Sequence, residues 1–327
     1  MIDNEGVICS EQLHCVACGS AGKEIHAHMR DQLFGAPGTW STFRCINEDC
    51  RLAWLHPQPL ASETIKLYQS YYTHATPSEA GLGPDRPIDL DEWTSQGLKA
   101  SIKKLLGSLL PWWRFRLDTD LLYIGRGRPG RVLEVGCGSG SFLRVLQAAG
   151  WDATGLDFDP QAVAAARRAG LNAKVSDLLS ENFPAGSFDR IVMDNVIEHL
   201  PDPPAVFAEC YRVLRPGGRL ILFTPNLDGY LHELYGADWR GLEVPRHLYL
   251  YSPPATRRLA RAACFRRVEL FSQPLSVEFM INQSKLIADR SGRMAPDADA
   301  AEYARRAARL SWLRSPRGEY LVLVAQR

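Results

Sequence analysis

Between residues 131 and 160 the chain reads RVLEVGCGSGSFLRVLQAAGWDATGLDFDP, an apolar run, three glycines in five positions, and an aspartate where a second apolar run stops. Closely spaced glycines let a backbone turn sharply and approach a ligand, while a carboxylate at a neighbouring strand end can accept hydrogen bonds from both ribose hydroxyls. Gly136, Gly138 and Gly140 give G-x-G-x-G, and Ser141 stands where the dinucleotide-binding pattern needs its third glycine. The pyrophosphate site of that pattern is therefore incomplete. Glu134 precedes the loop by two residues; an acid there is a poor neighbour for pyrophosphate and a good one for an ammonium or sulfonium. The ligand expected is cationic on this side. Asp157, 21 residues after Gly136, is placed for a ribose, and Asp177 in KVSDLL for an adenine amino group.

Proton-handling groups are few. DNVIEHL supplies Glu198 and His199, and WRGLEVPRHLYLYSP supplies Glu243, Arg246 and His247; Trp239, Arg240 and Glu243 are expected in the acceptor loop, with Tyr230 and Tyr235 as candidate aromatic walls. A neutral imidazole can take a proton near neutral pH; packing or hydrogen bonding is the alternative role for each histidine, and His247 is the favoured base. Near the N-terminus CVACG and FRCINEDC place Cys15 and Cys18 opposite Cys45 and Cys50, the four donors of a tetrahedral structural zinc site. The second pair is C-x4-C, an enlarged turn, which leaves open a metal-free relic or substitution by His14, His26 or Cys9. Cys137, Cys210 and Cys264 stand alone and are expected to be small apolar fillers.

The elements that must position these groups follow from periodicity. Strands are expected at 131–135, 152–156, 172–175, 188–193 and 218–224, and helices at 140–149, 160–169 and 203–214. Such alternation implies right-handed βαβ units in an α/β, doubly wound, mostly parallel sheet, with ligands at the carboxyl ends of its strands. LRPGG is read as a helix stop before the fifth strand. Residues 1–60 form a zinc-ribbon-like module, 61–128 a helical bridge or lid, and 129–327 the ligand-binding domain. In the bridge, ASETIKLYQSYY and SQGLKASIKKLLGSLL carry helical apolar stripes, and LLGSLLPWW is a helix face that a membrane surface could also accept.

The chain has 327 residues, 46% hydrophobic, enough to bury one large domain and an accessory module. It shows no signal-peptide pattern and no apolar stretch of membrane-spanning length, so a soluble, cytoplasmic protein is expected. Net charge is +1, divided as 14 Lys+Arg against 7 Asp+Glu after residue 250, or +7, and −6 before it. The basic end would suit an anionic substrate, or be a solvated arginine face. Near-neutral charge and the lack of an arginine-aromatic stripe count against nucleic acid.

LEVGCGSG, GLDFDP, SFDRIVMDNVIEHLPDP and YRVLRPGGRLILFTPN, in this order, resemble the successive motifs of class I S-adenosylmethionine-dependent methyltransferases over roughly residues 130–270. The resemblance implies a seven-stranded sheet closed by an antiparallel hairpin, for which CFRRVELF (264–271) and EYLVLVAQR (319–327) are suitable, with AEYARRAARLSWL between them as a cover for the acceptor. It further implies that Glu134, Gly136, Cys137, Gly138 and Gly140 surround the methionine moiety. Asp157 and Phe158 would take ribose and adenine, Asp177 and Leu178 the adenine edge, and Asn195 would lie near the methionine part or the methyl. The stretch from Cys15 to Pro59 is similar to zinc-ribbon leaders of bacterial methyltransferases in sugar, polysaccharide or natural-product pathways. The expected function is methyl transfer to a hydroxyl of a small-molecule acceptor, a sugar, glycan or related metabolite, anionic or sugar-linked. Transfer to carbon, nitrogen or a macromolecule is the alternative, and a binding protein or nicotinamide oxidoreductase the remote one. The oligomeric state is left open.

Overall fold

The computed structural model describes residues 1–68, 124, 129–273, 276–296, 302–303 and 317–327. The helical readings of SQGLKASIKKLLGSLL and LLGSLLPWW lie outside the described residues, and that of AEYARRAARLSWL almost wholly so.

Strands β1 (Ile2–Asn4), β2 (Val7–Ser10), β3 (Gly22–Met29), β4 (Trp40–Cys45), β5 (Ala53–His56) and β6 (Gln58–Pro59) build the N-terminal module. They are followed by β7 (Arg131–Val135), β8 (Asp152–Asp157), β9 (Ala173–Val175), β10 (Phe188–Asp194), β11 (Leu214–Pro225), β12 (Tyr249–Leu250), β13 (Arg267–Gln273) and β14 (Tyr320–Gln326). A seven-stranded sheet has the order β13-β14-β11-β10-β7-β8-β9. The pairs from β11 through β9 are parallel, and β14 runs antiparallel between β11 and β13. This is the class I methyltransferase arrangement, doubly wound and mostly parallel. The chain steps from β7 outward to β9 and then returns to place β10 on the other side of β7, so the switch point lies between β7 and β10, where ligands of such sheets bind.

The sequence explains the local pieces. Central strands read as continuous apolar runs because helices cover both faces, and Val132 to Val135 are buried throughout. The helix Pro160–Arg168 starts at Asp159, whose carboxylate accepts from Gln161 N; Asp202 caps Pro203–Val213 through Ala205 N, and Ser252 caps Pro253–Ala262 through Ala255 N. Each cap is followed by proline in the first turn, where a missing N–H costs nothing.

Two local expectations change. Strand β11 begins at Leu214 rather than 218, because Leu214 already pairs with Phe188 across a register shift, so LRPGG enters the sheet. Cys264 is exposed and sits at φ 72° in the turn before β13; it is not an apolar filler, whereas Cys137 and Cys210 are buried.

The N-terminal module is fused to the sheet domain. Its second sheet has the order β12-β5-β4-β3, so Tyr249–Leu250 pairs with Trp54 and Ala53. One apolar core runs through both parts, joining Val7, Trp40 and Trp54 to Leu133, Phe207 and Tyr249. A buried ion pair crosses the same junction: Arg246 Nη1 donates to Asp31 Oδ2 at 2.8 Å and to the Leu67 carbonyl at 3.0 Å, while Arg246 Nε reaches Glu243 Oε1 at 3.4 Å. Its guanidinium lies over the Phe34 ring, 4.7 Å from the centroid.

Removing one partner of a buried pair leaves an uncompensated charge, so Asp31→Ala should lower unfolding free energy by about 3 to 5 kcal/mol. Urea unfolding read by tryptophan fluorescence measures this; a loss under about 1 kcal/mol would place the pair among weak surface-like contacts.

Candidate active site

The glycine loop is sewn to the end of β8. Gly136 N and Cys137 N both donate to the Leu156 carbonyl, at 2.7 and 2.9 Å, and Gly138 N donates to Asp157 Oδ2 at 2.7 Å. Gly136 has φ +77°, and a Cβ there would lie 2.3 Å from Val196 Cγ2; at Gly140, φ +86°, it would meet Leu171 Cδ1 at 2.4 Å. A side chain at either position would be strained at that φ and would have to displace Val196 or Leu171. Cys137 is buried in the loop, and Gly140 leaves the start of the helix Ser141–Ala148 without a side-chain cap.

Around this loop stand the other expected residues. Asp157 also accepts from Asp159 N at 2.9 Å; burial raises its pKa and the backbone amides oppose the shift. Phe158 is 59% exposed, an aromatic face left open at a strand end. Asn195 takes the left-handed conformation at φ 54°, donating its amide to Phe223 O and its Nδ2 to Asp194 Oδ1. Asp177 is placed differently from a free adenine contact: its Oδ1 accepts from Leu179 N and Ser180 N, and its Oδ2 from Ser180 Oγ, building a turn over buried Leu178. Glu134 is the most telling. It is 6% exposed, its Oε2 has no hydrogen-bond partner, and burial, then Asp194 and Asp157, push its pKa well above the usual carboxylate range. A buried, unpartnered carboxylate beside two others fits a ligand with a cationic end.

Glu198, His199 and His247 converge at the mouth of β10. Their ligand-type atoms all lie within 4.8 Å of one another, and the two rings meet edge to face at 4.7 Å. Glu198 is fully buried; its Oε2 accepts from Thr224 Oγ1 at 3.0 Å, its Oε1 is unpartnered, and burial raises its pKa to about 8. His247 Nδ1 faces the Gly241 carbonyl at 2.8 Å and His199 Nδ1 the Arg246 carbonyl at 3.0 Å. A carbonyl only accepts, so each Nδ1 carries the proton and each Nε2 the lone pair. Burial depresses both histidines, His247 to about 3 against the opposing pull of Glu243. Glu243, in the left-handed conformation, has a side chain only 8% exposed, yet Arg240, His247 and Arg246 hold its carboxyl well below the usual range. Tyr235 is buried in the core with Trp239 rather than forming an open wall, while Tyr230 stacks on Tyr303.

Sequence reasoning did not single out Tyr68, Thr224 or Asp31. Tyr68 Oη lies 3.0 Å from His199 Nδ1, and its ring is 5.4 Å from that of Phe158, so one side chain links the two halves of the site. In the sequence Tyr68 is one member of an apolar stripe, and nothing local distinguishes it.

The four thiols expected to bind metal do meet. Cys15 Sγ lies 3.6 Å from Cys50 Sγ and Cys18 Sγ 3.4 Å from Cys45 Sγ, and all four are unbridged. Thiolates about 2.3 Å from a tetrahedral ion are separated by roughly 3.8 Å, so the donor set fits. The longer second knuckle is closed by Asn47, whose carbonyl accepts from Cys50 N and Arg51 N and whose side chain accepts from Asp49 N. Cys9 instead donates to Val7 O, and His26 pairs with His232 at 3.0 Å.

Residues 113–270, just under half of the chain, match the family model described as "Methyltransferase domain". The ubiquinone biosynthesis O-methyltransferase of Xanthomonas oryzae pv. oryzae is 33% identical over 157 residues, covering 45% of this chain and 64% of that protein. The malonyl-[acyl-carrier protein] O-methyltransferase of Serratia marcescens is 36% identical over 146 residues, 44% of this chain and 56% of that protein. The chain thus spans less than two thirds of the length of either relative. A SAM-dependent methyltransferase from Archaeoglobus fulgidus superposes with a TM-score of 0.45 at 18% identity, over 69% of this chain and 94% of that one. The family match and the strand order carry the fold. Among the described residues no helix is long and apolar enough to cross a membrane.

Because the folded pKa of Glu134 is raised, its contribution to stability is complete below the ordinary glutamate range, near pH 4.3, and is lost as pH rises through the folded value. Glu134→Gln should flatten that decline in the ligand-free protein. Parallel melting-temperature profiles for the two proteins would remove Glu134 as its source.

Proposed function

We propose that the protein is an enzyme that transfers a methyl group from S-adenosylmethionine to a hydroxyl of a small-molecule acceptor. The observation that carries this reading is the unpartnered Glu134 carboxylate, buried beside a glycine loop that is itself held by Asp157. Glu134 would face the ammonium and sulfonium end of the cofactor, Asp157 the ribose, and Phe158 the adenine, with Leu178 beneath its edge. When bound, the sulfonium supplies an activated methyl group that needs no electron source. The chain must align the acceptor in line with that methyl, exclude water and take the hydroxyl proton; alignment alone can supply roughly 7 to 11 kcal/mol. His199 and His247 offer the lone pairs for the proton, and Tyr68 brings the first of them against the cofactor side of the cleft. Oxygen as the acceptor atom is supported by the names of the two relatives, both O-methyltransferases. A sugar, glycan or related metabolite, with anionic groups matching the basic residues after position 250, is the acceptor class we favour. The four N-terminal cysteines would hold one structural zinc, a closure that can contribute roughly 10 to 16 kcal/mol to folding.

Calorimetry should show S-adenosylhomocysteine binding and no NADH binding; the reverse would make the protein a nicotinamide enzyme. Asp157→Ala should weaken S-adenosylhomocysteine by about 1.5 to 3 kcal/mol, and an unchanged dissociation constant in the folded variant would take Asp157 out of the site. With an acceptor found by radiolabelled-methyl screening of nucleotide sugars, glycans and phenols, His247→Gln should cut turnover at least about 10²-fold while cofactor affinity holds. A comparable loss in His199→Gln alone would assign the proton to His199. Elemental analysis should show that Cys45→Ser holds about one zinc per chain fewer than wild type; zinc-free protein prepared without chelator would defeat the structural site.

A further inference from the structure

Glu198 and the two histidines have features that proton transfer alone does not require. The Glu198 carboxylate is divided: Oε2 is fixed by Thr224 Oγ1, while Oε1, completely buried, has no hydrogen-bond partner and lies 3.9 Å from His247 Nε2. Both imidazoles are held through Nδ1 by backbone carbonyls, Gly241 for His247 and Arg246 for His199. Tethering one ring nitrogen to a carbonyl fixes the tautomer and ring orientation and raises the basicity of the other nitrogen, as is usual for histidines that ligate metals. A hydroxyl anchoring the spare carboxylate oxygen is the matching support for the acid.

From this arrangement we infer a second metal site, separate from the cysteine cluster, in which Glu198 Oε1 and the imidazoles of His199 and His247 bind one divalent first-row transition ion. One ligand atom from each residue lies within 4.8 Å of the other two, close enough for a shared ion to draw them to bonding distance. Two imidazoles and one carboxylate suit zinc, manganese, iron, cobalt or nickel rather than calcium or magnesium, which favour oxygen donors. The nearby guanidiniums do not forbid a cation. Arg240 and Arg246 are bonded to Glu243, and Arg246 also to Asp31, so the two positive groups are already matched by two carboxylates before Glu198 is counted. Three protein ligands leave coordination positions open, and an ion there lowers the pKa of an oxygen bound to it. The inference rests on the methyl-transfer reading and deepens it: the same groups would act on the acceptor oxygen through an ion, which lowers the pKa of the bound hydroxyl so that its proton is released to solvent water, instead of by accepting that proton directly.

Full-length, chelator-treated protein is titrated with Co²⁺ and followed by absorption. Ions on the cysteine cluster give strong thiolate charge-transfer bands, and an ion on Glu198, His199 and His247 gives only weak ligand-field bands, so the two sites are read apart whatever the ribbon holds. The expected result is one equivalent of the weak type, abolished in Glu198→Gln and in His247→Gln and weakened about 10-fold in Thr224→Val. Absence of that equivalent in wild type, or its undiminished presence in both ligand variants, would overturn the inference. Each sample is also titrated with S-adenosylhomocysteine. Wild type that binds S-adenosylhomocysteine but no cobalt of this type leaves methyl transfer with direct proton acceptance; cobalt without S-adenosylhomocysteine overturns the cofactor assignment and leaves the metal site. Thr224→Val reports on the site should either ligand variant fail to fold.

Discussion

A guanidinium buried almost completely is the constraint around which the histidine side of this protein is arranged. Arg246 cannot be left in an apolar core without carboxylates and carbonyls at hydrogen-bond distance, since the desolvation cost of an isolated charge is several kcal/mol. Its partners come from three places: Asp31 in the N-terminal module, the Leu67 carbonyl in the short helix Ala61–Tyr68, and Glu243 one turn before it. Satisfying one side chain therefore fixes three segments relative to one another. His247 follows directly in the chain, Tyr68 follows Leu67, and the Arg246 carbonyl itself orients His199. The geometry of the histidine pair is thus a consequence of how one charge is compensated.

The other half of the cleft obeys a different logic. The glycine loop, Asp157 and Asn195 sit at ends of adjacent parallel strands, and their positions follow from backbone pairing within the sheet. Strand register brings Glu134 beside Asp194 and Asp157, so three carboxyl groups crowd the switch point and Glu134 holds its proton more tightly than a free glutamate. Such a site is costly to the empty protein and complementary to a cation. That is the pattern of pre-organisation, in which the fold tolerates local destabilisation where a ligand is to be held.

The N-terminal module belongs to the same argument. Strand β5 pairs with Tyr249–Leu250, two residues beyond His247, so the cysteine-bearing sheet and the histidine loop share backbone hydrogen bonds as well as the Arg246 contacts. The Ser252 hydroxyl, which caps the next helix, also donates to the Cys50 carbonyl. Ordering the four thiols and ordering the loop are consequently coupled.

Much of this was legible in the sequence for reasons that are local. Glycines with positive φ, capping aspartates before prolines, apolar runs of strand length and paired cysteines each impose their structure over a few residues, and order along the chain then leaves few topologies. The loop at 136–140, the strand-end Asp157 and the meeting of Cys15, Cys18, Cys45 and Cys50 needed no more than that. What the sequence did not contain was distance between remote segments. That Asp31 would neutralise Arg246, that Tyr68 would leave its apolar stripe to touch His199, and that Asp177 would turn its carboxylate into its own loop depended on packing and on competition for hydrogen bonds. These are decided only when the whole core closes, because the free energy of a buried charge or hydroxyl depends on every group that surrounds it and not on its neighbours in the chain.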